Sequence, residues 1–68
     1  MNTGNLEQIL YNYANSHKLV VQRITIDTAN NRVDMYTQDG KHLECYVYRN
    51  KSVILKVEGK QVKITQGS

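Results

Sequence analysis

From residue 19 onward, apolar and polar residues alternate with a period of two, the pattern of β-strands with one buried face. Met35, Leu43 and Cys45 are each flanked by polar, charged or tyrosine neighbours. Breaks in the alternation predict five strands at about residues 19–27, 32–38, 41–48, 52–58 and 61–66. The residues predicted to face inward are Ile24, Ile26, Val33, Met35, Leu43, Cys45, Val47, Val53, Leu55, Val57, Val62 and Ile64.

Loop lengths test this register, because slipping a strand by one residue turns every side chain to the opposite face. A three-residue loop over 38–40 pairs Met35 with Leu43, both of which face inward. Such a loop needs a left-handed residue at its third position, where Gly40 stands. The second and third strands are therefore predicted to form a hairpin in this register.

Two further loops agree with the inward set, and a bulge is expected near Gln22, where the phase of the first strand changes. Glycine at the first position of a two-residue loop favours a type II′ turn. The predicted pairs are Ile26 with Val33 across residues 28–31, and Val57 with Val62 and Leu55 with Ile64 across Gly59 and Lys60.

An amphipathic helix is predicted at about residues 5–16, before the strands. One helical face carries Leu6, Ile9, Leu10, Tyr13, Ala14 and His17. A helix this short is marginal alone in water, so it must dock by that face. The fold class is α+β, a single domain over 1–68 in which the helix precedes a five-stranded antiparallel meander, closed as a small barrel or strongly curved.

Residues 33–64 resemble the core of the Sm/Hfq family of RNA-binding rings. The similar stretches are Val33-Asp34-Met35-Tyr36, Asp39-Gly40-Lys41-His42-Leu43, Val47, Ser52-Val53-Ile54-Leu55 and Glu58-Gly59-Lys60-Gln61. In that family a helix precedes a hairpin that turns at Asn/Asp-Gly, and an apolar strand and a short turn follow. The resemblance implies a small SH3-like or Sm-like barrel, RNA binding, and RNA sites that depend on neighbouring subunits.

Charge is unevenly distributed along the chain, whose formal net charge is +3. Residues 1–40 carry three cations and four carboxylates, a net of −1, whereas residues 41–68 carry six cations and two carboxylates, a net of +4. A basic half is compatible with a polyanionic partner or with a lysine-rich solvated surface. A lone cysteine, Cys45, and apolar runs of at most three residues indicate a cytoplasmic protein without a membrane span.

Tyrosines and cations share the outward phase of the strands. Bases can stack on such rings, at about 1–3 kcal/mol per base, while Arg and Lys contact phosphates. The alternative is that tyrosine is simply a favoured strand residue that packs across strands and keeps its hydroxyl in water. The expected outward pairs are Tyr36–His42, Arg32–Tyr46, Tyr46–Ile54, Glu44–Lys56 and Lys56–Lys63. The candidate nucleic-acid-binding residues are Arg32, Tyr36, His42, Tyr46, Tyr48, Arg49, Lys56 and Lys63.

The chemistry-bearing residues do not form a catalytic constellation. Cys45 is on the inward phase, and His17 and His42 lie far apart in the pattern. Asp34 and Glu44 are expected as cross-strand neighbours on an open face, which is typical of solubility rather than acid–base chemistry. We therefore expect a non-enzymatic protein without cofactor or metal that binds RNA or single-stranded DNA. The alternative is a protein-interaction or regulatory module, such as an inhibitor, that uses the same face.

Self-association is also expected, because one core of this size rarely gives more than about 3–5 kcal/mol and a single cysteine cannot form a disulfide within the chain. An unclosed meander would leave two strand edges open to a second chain. The C-terminal strand over 61–65 and the outward side chain of Ile54 are the expected contacts in a homo-oligomer. A closed barrel would remove those edges and favour a monomer.

Overall fold

A computed structural model describes residues 3–48 and 52–64. One helix precedes a five-stranded antiparallel sheet of strand order β1-β2-β3-β4-β5, which confirms the α+β fold. The described strands do not close into a barrel; they form an open, curved sheet. The elements are α1 (Thr3–Ser16), β1 (Val21–Asp27), β2 (Arg32–Thr37), β3 (His42–Val47), β4 (Val53–Val57) and β5 (Lys60–Val62).

Helix α1 ends in a Schellman motif. The N–H of Leu19 donates to the carbonyl of Ala14 at 2.8 Å, and the N–H of Lys18 donates to that of Asn15 at 3.3 Å. Lys18 has a φ of 56°, the left-handed conformation that this cap requires. The motif reverses the chain, so that Leu19 packs against the core and leads into β1.

The first two hairpins have the predicted registers. Ile26 pairs with Val33, and Met35 pairs with Leu43. Gly40 has a φ of 88° at the third position of its loop. The expected bulge in β1 is confirmed as a register shift between Val21 and Arg23.

The register predicted for the last hairpin is wrong. Leu55 pairs with Val62, and Val57 pairs with Lys60. The turn is therefore made by Glu58 and Gly59, whose φ values are 52° and 82°. Two successive positive φ angles define a type I′ turn, in place of the predicted type II′ turn over Gly59 and Lys60.

A shift of two residues keeps each side chain on its face, so Val62 and Ile64 still pack against the core. The outward pairs do change: Lys56 lies opposite Gln61 rather than Lys63. The predicted loop at Arg49 to Lys51 and the end of the predicted last strand, residues 65–66, lie outside the described residues.

The core lies between α1 and the inner side of the sheet, with the helix mostly over β2 and β3. Met35, Leu43 and Leu55 are buried as predicted. Ile26 is not: 47% of it is exposed, because it stands near the end of edge strand β1, away from the helix. The fully buried apolar residues are Leu6, Leu10, Ala14, Val33, Met35, Leu43, Cys45 and Leu55.

Candidate nucleic-acid interface

The sheet surface that faces away from α1 carries most of the predicted binding residues, and we call it the outer face. Cross-strand pairing arranges these side chains in rows. One row runs from Arg23 through Tyr36 to His42, and another from Arg32 through Tyr46 to Ile54. The strand residues of the outer face are Arg23, Thr25, Asp27, Arg32, Asp34, Tyr36, His42, Glu44, Tyr46, Ile54, Lys56 and Gln61. Tyr48 and Lys63, just beyond β3 and β5, continue the same alternation.

The ring of Tyr36 is enclosed by its row neighbours. The guanidinium carbon of Arg23 lies 4.5 Å from the ring centroid, and the imidazole of His42 stacks on the ring with centroids 4.7 Å apart and planes 3° apart. Since β2 lies between β1 and β3, the two partners approach from opposite sides. Tyr36 therefore has no open ring face to offer a base. Arg23 did not stand among the predicted site residues, although the register places it opposite Tyr36.

Arg32 is held by two carboxylates. Its Nε and one terminal nitrogen donate to Asp34 at 3.0 and 2.9 Å, and the same nitrogen donates to Glu44. The Nε2 of His42 lies 2.8 Å from the Oδ1 of Asp34. Burial disfavours the carboxylate of Asp34, but the hydrogen bonds from Arg32 and His42 outweigh it and hold the pKa of Asp34 below its usual value.

The hydrogen bond to Asp34 is also the main reason why the pKa of Arg32 is raised. Asp34 and Glu44 are direct cross-strand neighbours, as predicted. Their like charges would destabilise the sheet without the guanidinium. The charge of Arg32 is therefore compensated within the protein rather than available to a phosphate.

The same cluster contains three side chains that can bind a metal ion. One ligand atom each from Asp34, His42 and Glu44 lies within 4.8 Å of the others. Carboxylate and imidazole ligands suit divalent cations such as Zn²⁺. However, Arg32 already donates to both carboxylates, so a metal ion would have to displace the guanidinium. The arrangement is that of an ion-pair network with an internal cation.

Tyr46 and Tyr48 lie in a more open part of the outer face. The guanidinium carbon of Arg32 and the Nζ of Lys56 are 5.6 and 5.9 Å from the Tyr46 centroid. Tyr48 is 55% exposed. Neither Lys56 nor Lys63 forms an ion pair with a carboxylate of residues 3–48 and 52–64.

We call this region, formed by Tyr46, Tyr48, Lys56 and Lys63, the basic tyrosine patch. Lys63 is exposed just beyond β5. Arg49, which the sequence also placed in the site, lies outside the described residues.

The polar residues at the β2–β3 turn have a structural role. Thr37 is fully buried, and its hydroxyl accepts a hydrogen bond from the N–H of Lys41 at 3.0 Å and donates to Asp39. Lys41 pairs with Asp39 at 2.9 Å. These contacts fasten the loop that contains Gly40.

Cys45 is a core residue, as its inward phase predicted. It is fully buried, and burial raises the pKa of its thiol to about 11. A thiol in that state is a poor nucleophile at neutral pH. At the end of α1, His17 stacks on Tyr13 with centroids 4.1 Å apart, far along the chain from His42.

Comparisons of the chain with protein-family models, with curated proteins and with solved structures find no match. The resemblance to the Sm/Hfq family therefore stays a prediction. None of the described helical residues form a helix of the length and apolarity needed to cross a membrane. The cytoplasmic location also stays a prediction.

Proposed function

We propose that this protein binds single-stranded nucleic acid, RNA or DNA, across the basic tyrosine patch. The observation that carries the proposal is an exposed tyrosine, Tyr48, on the same face as Tyr46 and Lys56, a lysine with no ion-pair partner among residues 3–48 and 52–64. Aromatic rings beside cations are the usual surface for single strands, because every base has a face that can stack. Double-helical major-groove binding is not part of the proposal, since the only described helix packs its apolar face on the sheet.

Charge pairing divides the outer face into two parts. Near β2, the positive charge of Arg32 is compensated by Asp34 and Glu44. Near β4 and β5, the lysines have no carboxylate partner among the described residues. Phosphates are therefore expected at Lys56 and Lys63, where their binding would release condensed counterions.

Ring exposure favours the same part of the face. Tyr36 is covered by Arg23 and His42, whereas Tyr48 is more than half exposed. The two cations beside Tyr46 are 5.6 and 5.9 Å from its centroid, more than 1 Å farther than Arg23 is from that of Tyr36. We expect a base to stack on Tyr48 and a second base to contact Tyr46.

The proposal is tested by fluorescence anisotropy with labelled oligouridylate and oligodeoxythymidylate over a range of salt concentrations. Tyr48→Ala should weaken binding by the loss of one stacked base, roughly 5- to 150-fold in Kd for about 1–3 kcal/mol. Tyr11→Ala is the matched control, because Tyr11 is also exposed but lies on α1. Tyr46→Ala should weaken binding as well, with little change in melting temperature.

Lys56→Gln should lower the slope of log K against log salt by about 0.7, the value of one phosphate contact on a single strand. Lys41→Gln is its control, since it makes the same change of charge at a lysine that is paired with Asp39. No binding of either oligonucleotide by the unaltered protein would refute the proposal. Equal effects of the test and control variants would refute it too.

A protein partner is the second candidate, and the network around Arg32 favours it. Side chains already held by hydrogen bonds lose little freedom on binding, and tyrosine and arginine are common hot-spot residues. Purification separates the candidates. Bound nucleic acid raises the ratio of absorbance at 260 nm to that at 280 nm until a high-salt wash removes it, whereas a protein partner co-purifies as a second polypeptide.

A further inference from the structure

Strand β1 is an edge of the sheet, and hydrogen-bond parity shows which of its backbone groups point outward. In the β2–β3 pair, Val47 donates to the carbonyl of Asn31 and Thr37 donates to that of Lys41. The backbone groups of successive residues in a strand point to opposite neighbouring strands. The odd-numbered residues of β2 therefore form their backbone hydrogen bonds with β3, and the even-numbered ones form theirs with β1. The β1 partners of those even-numbered residues are Arg23, Thr25 and Asp27.

The intervening residues of β1, Ile24 and Ile26, therefore direct their N–H and C=O groups away from the sheet. Edge strands with such unpaired groups form templates for another strand. The opposite edge is less suited to this role, because β5 is only three residues long and begins with the exposed Lys60. β1 has seven residues and contains no proline.

We propose that a second copy of this chain pairs antiparallel along β1, with the two-fold axis at Thr25. In this register Ile24 of each copy lies opposite Ile26 of the other, at positions where both residues offer outward backbone groups. The two isoleucine pairs can then exchange four backbone hydrogen bonds. Thr25 meets its own counterpart on the axis.

Charge complementarity selects this register. Arg23 of each copy lies opposite Asp27 of the other, so two pairs of opposite charge form across the axis. Both residues are exposed, and neither has an ion-pair partner among residues 3–48 and 52–64. The Asp27 carboxylate accepts hydrogen bonds from the neutral Asn30, and the Arg23 guanidinium lies over Tyr36, so both charges are still uncompensated. An axis at Ile24 would instead place Arg23 opposite Thr25 and Gln22 opposite Ile26, which forms no charge pair and sets an amide against an apolar side chain.

The same pairing accounts for the exposed isoleucine of β1. Ile26 is 47% exposed because the helix lies mostly over β2 and β3. In the dimer its side chain packs beside the partner's Ile24 on the inner side of a continuous ten-stranded sheet. The basic tyrosine patch stays accessible, since it lies towards the opposite edge of each copy.

Sedimentation equilibrium from micromolar to millimolar concentration tests the proposal. The mass should rise with concentration from 7.8 kDa towards twice that value. Ile26→Lys, which places a charge at the edge, should abolish the rise. Lys60→Glu, a charge change on the opposite edge, should leave it intact.

Charge reversal tests the register itself. Arg23→Glu and Asp27→Arg should each weaken the homodimer, because each creates two like-charge contacts. An equimolar mixture of the two variants should associate again, since every cross-axis pair is then of opposite sign. Far-UV circular dichroism and melting curves confirm that each variant folds. A monomer at all concentrations would overturn the proposal, and so would a mixture that associates no better than its components.

Discussion

Replacing Arg32 with methionine tests whether the outer-face network depends on charge. Arg32→Met removes three hydrogen bonds to carboxylates and leaves Asp34 opposite Glu44 with no guanidinium between them. The side chains of Asp34 and Glu44 are only 14% and 17% exposed, whereas the side chain of Arg32 is 35% exposed. The cost should therefore fall between the 0–1 kcal/mol of a surface pair and the 3–5 kcal/mol of a broken buried pair, at about 2 kcal/mol.

The pH dependence of the stability lost in Arg32→Met shows whether the loss comes from charge. In the unaltered protein the folded pKa of Asp34 is lowered, so its contribution to stability is present above the unfolded pKa of about 3.9 and is lost as pH falls through the folded value. In Arg32→Met, burial and repulsion by Glu44 should instead raise the folded pKa of Asp34, so acidification should reduce the destabilisation of the variant. The difference between the two proteins should be largest at neutral pH and should shrink on acidification.

Urea unfolding followed by far-UV circular dichroism measures the loss of unfolding free energy in Arg32→Met and its change with pH. The chain has no tryptophan, so ellipticity is the better signal. The cost of Arg32→Met should also fall in an Asp34→Asn background, because the pair is then already broken. The imidazole of His42 contacts Asp34, so the same comparison is repeated in a His42→Gln background, where this imidazole cannot contribute to the pH dependence. A cost that is the same at acid and neutral pH, and in the Asp34→Asn background, would mean that only packing of the Arg32 stem is lost.

Three further predictions concern the core and the turn between β4 and β5. Leu55→Ala should cost about 2–5 kcal/mol of unfolding free energy, whereas Ile26→Ala should cost about 1 kcal/mol in dilute protein, because Ile26 is half exposed; equal costs in urea melts would contradict the burial. Glu58→Asn should stabilise the fold by about 0.5–1 kcal/mol, since asparagine tolerates positive φ better, and a lower urea midpoint would argue against the type I′ turn. Cys45 should react with a thiol reagent only slowly until urea unfolds the protein; rapid native labelling would contradict its burial and raised pKa.

Alternation and loop parity were enough to predict the first two hairpins. A one-residue slip would have placed Met35 or Leu43 in water, so burial excludes it, and Gly40 at the left-handed third position of the loop selects the register that remains. The same reasoning fails at the last hairpin, because a two-residue shift leaves every side chain on its face. There the choice depends on the turn, and Glu58 at positive φ is a conformation that sequence statistics disfavour.

The exposure of Ile26 and the enclosure of Tyr36 were not predictable from strand periodicity. Periodicity assigns a residue to a face but does not say how far the helix extends over that face. Likewise, the register placed Arg32 beside Tyr46, but rotamers decided that its guanidinium turns to Asp34 and Glu44. A cationic side chain on a strand therefore had to be located in three dimensions before its charge could be considered free.

The register of the last hairpin also changes the charge pattern of the basic tyrosine patch. The predicted pairing set Lys56 directly opposite Lys63, and like charges so placed destabilise a sheet. In the structure Gln61 lies opposite Lys56, and Lys63 is two residues farther along the chain. Two residues of extended chain span about 7 Å. With this offset between their backbone positions, the two lysines are better placed to contact separate phosphates of an extended strand than to share one. The corrected register therefore removes a local repulsion and distributes the positive charge along the surface proposed to bind a polyanion.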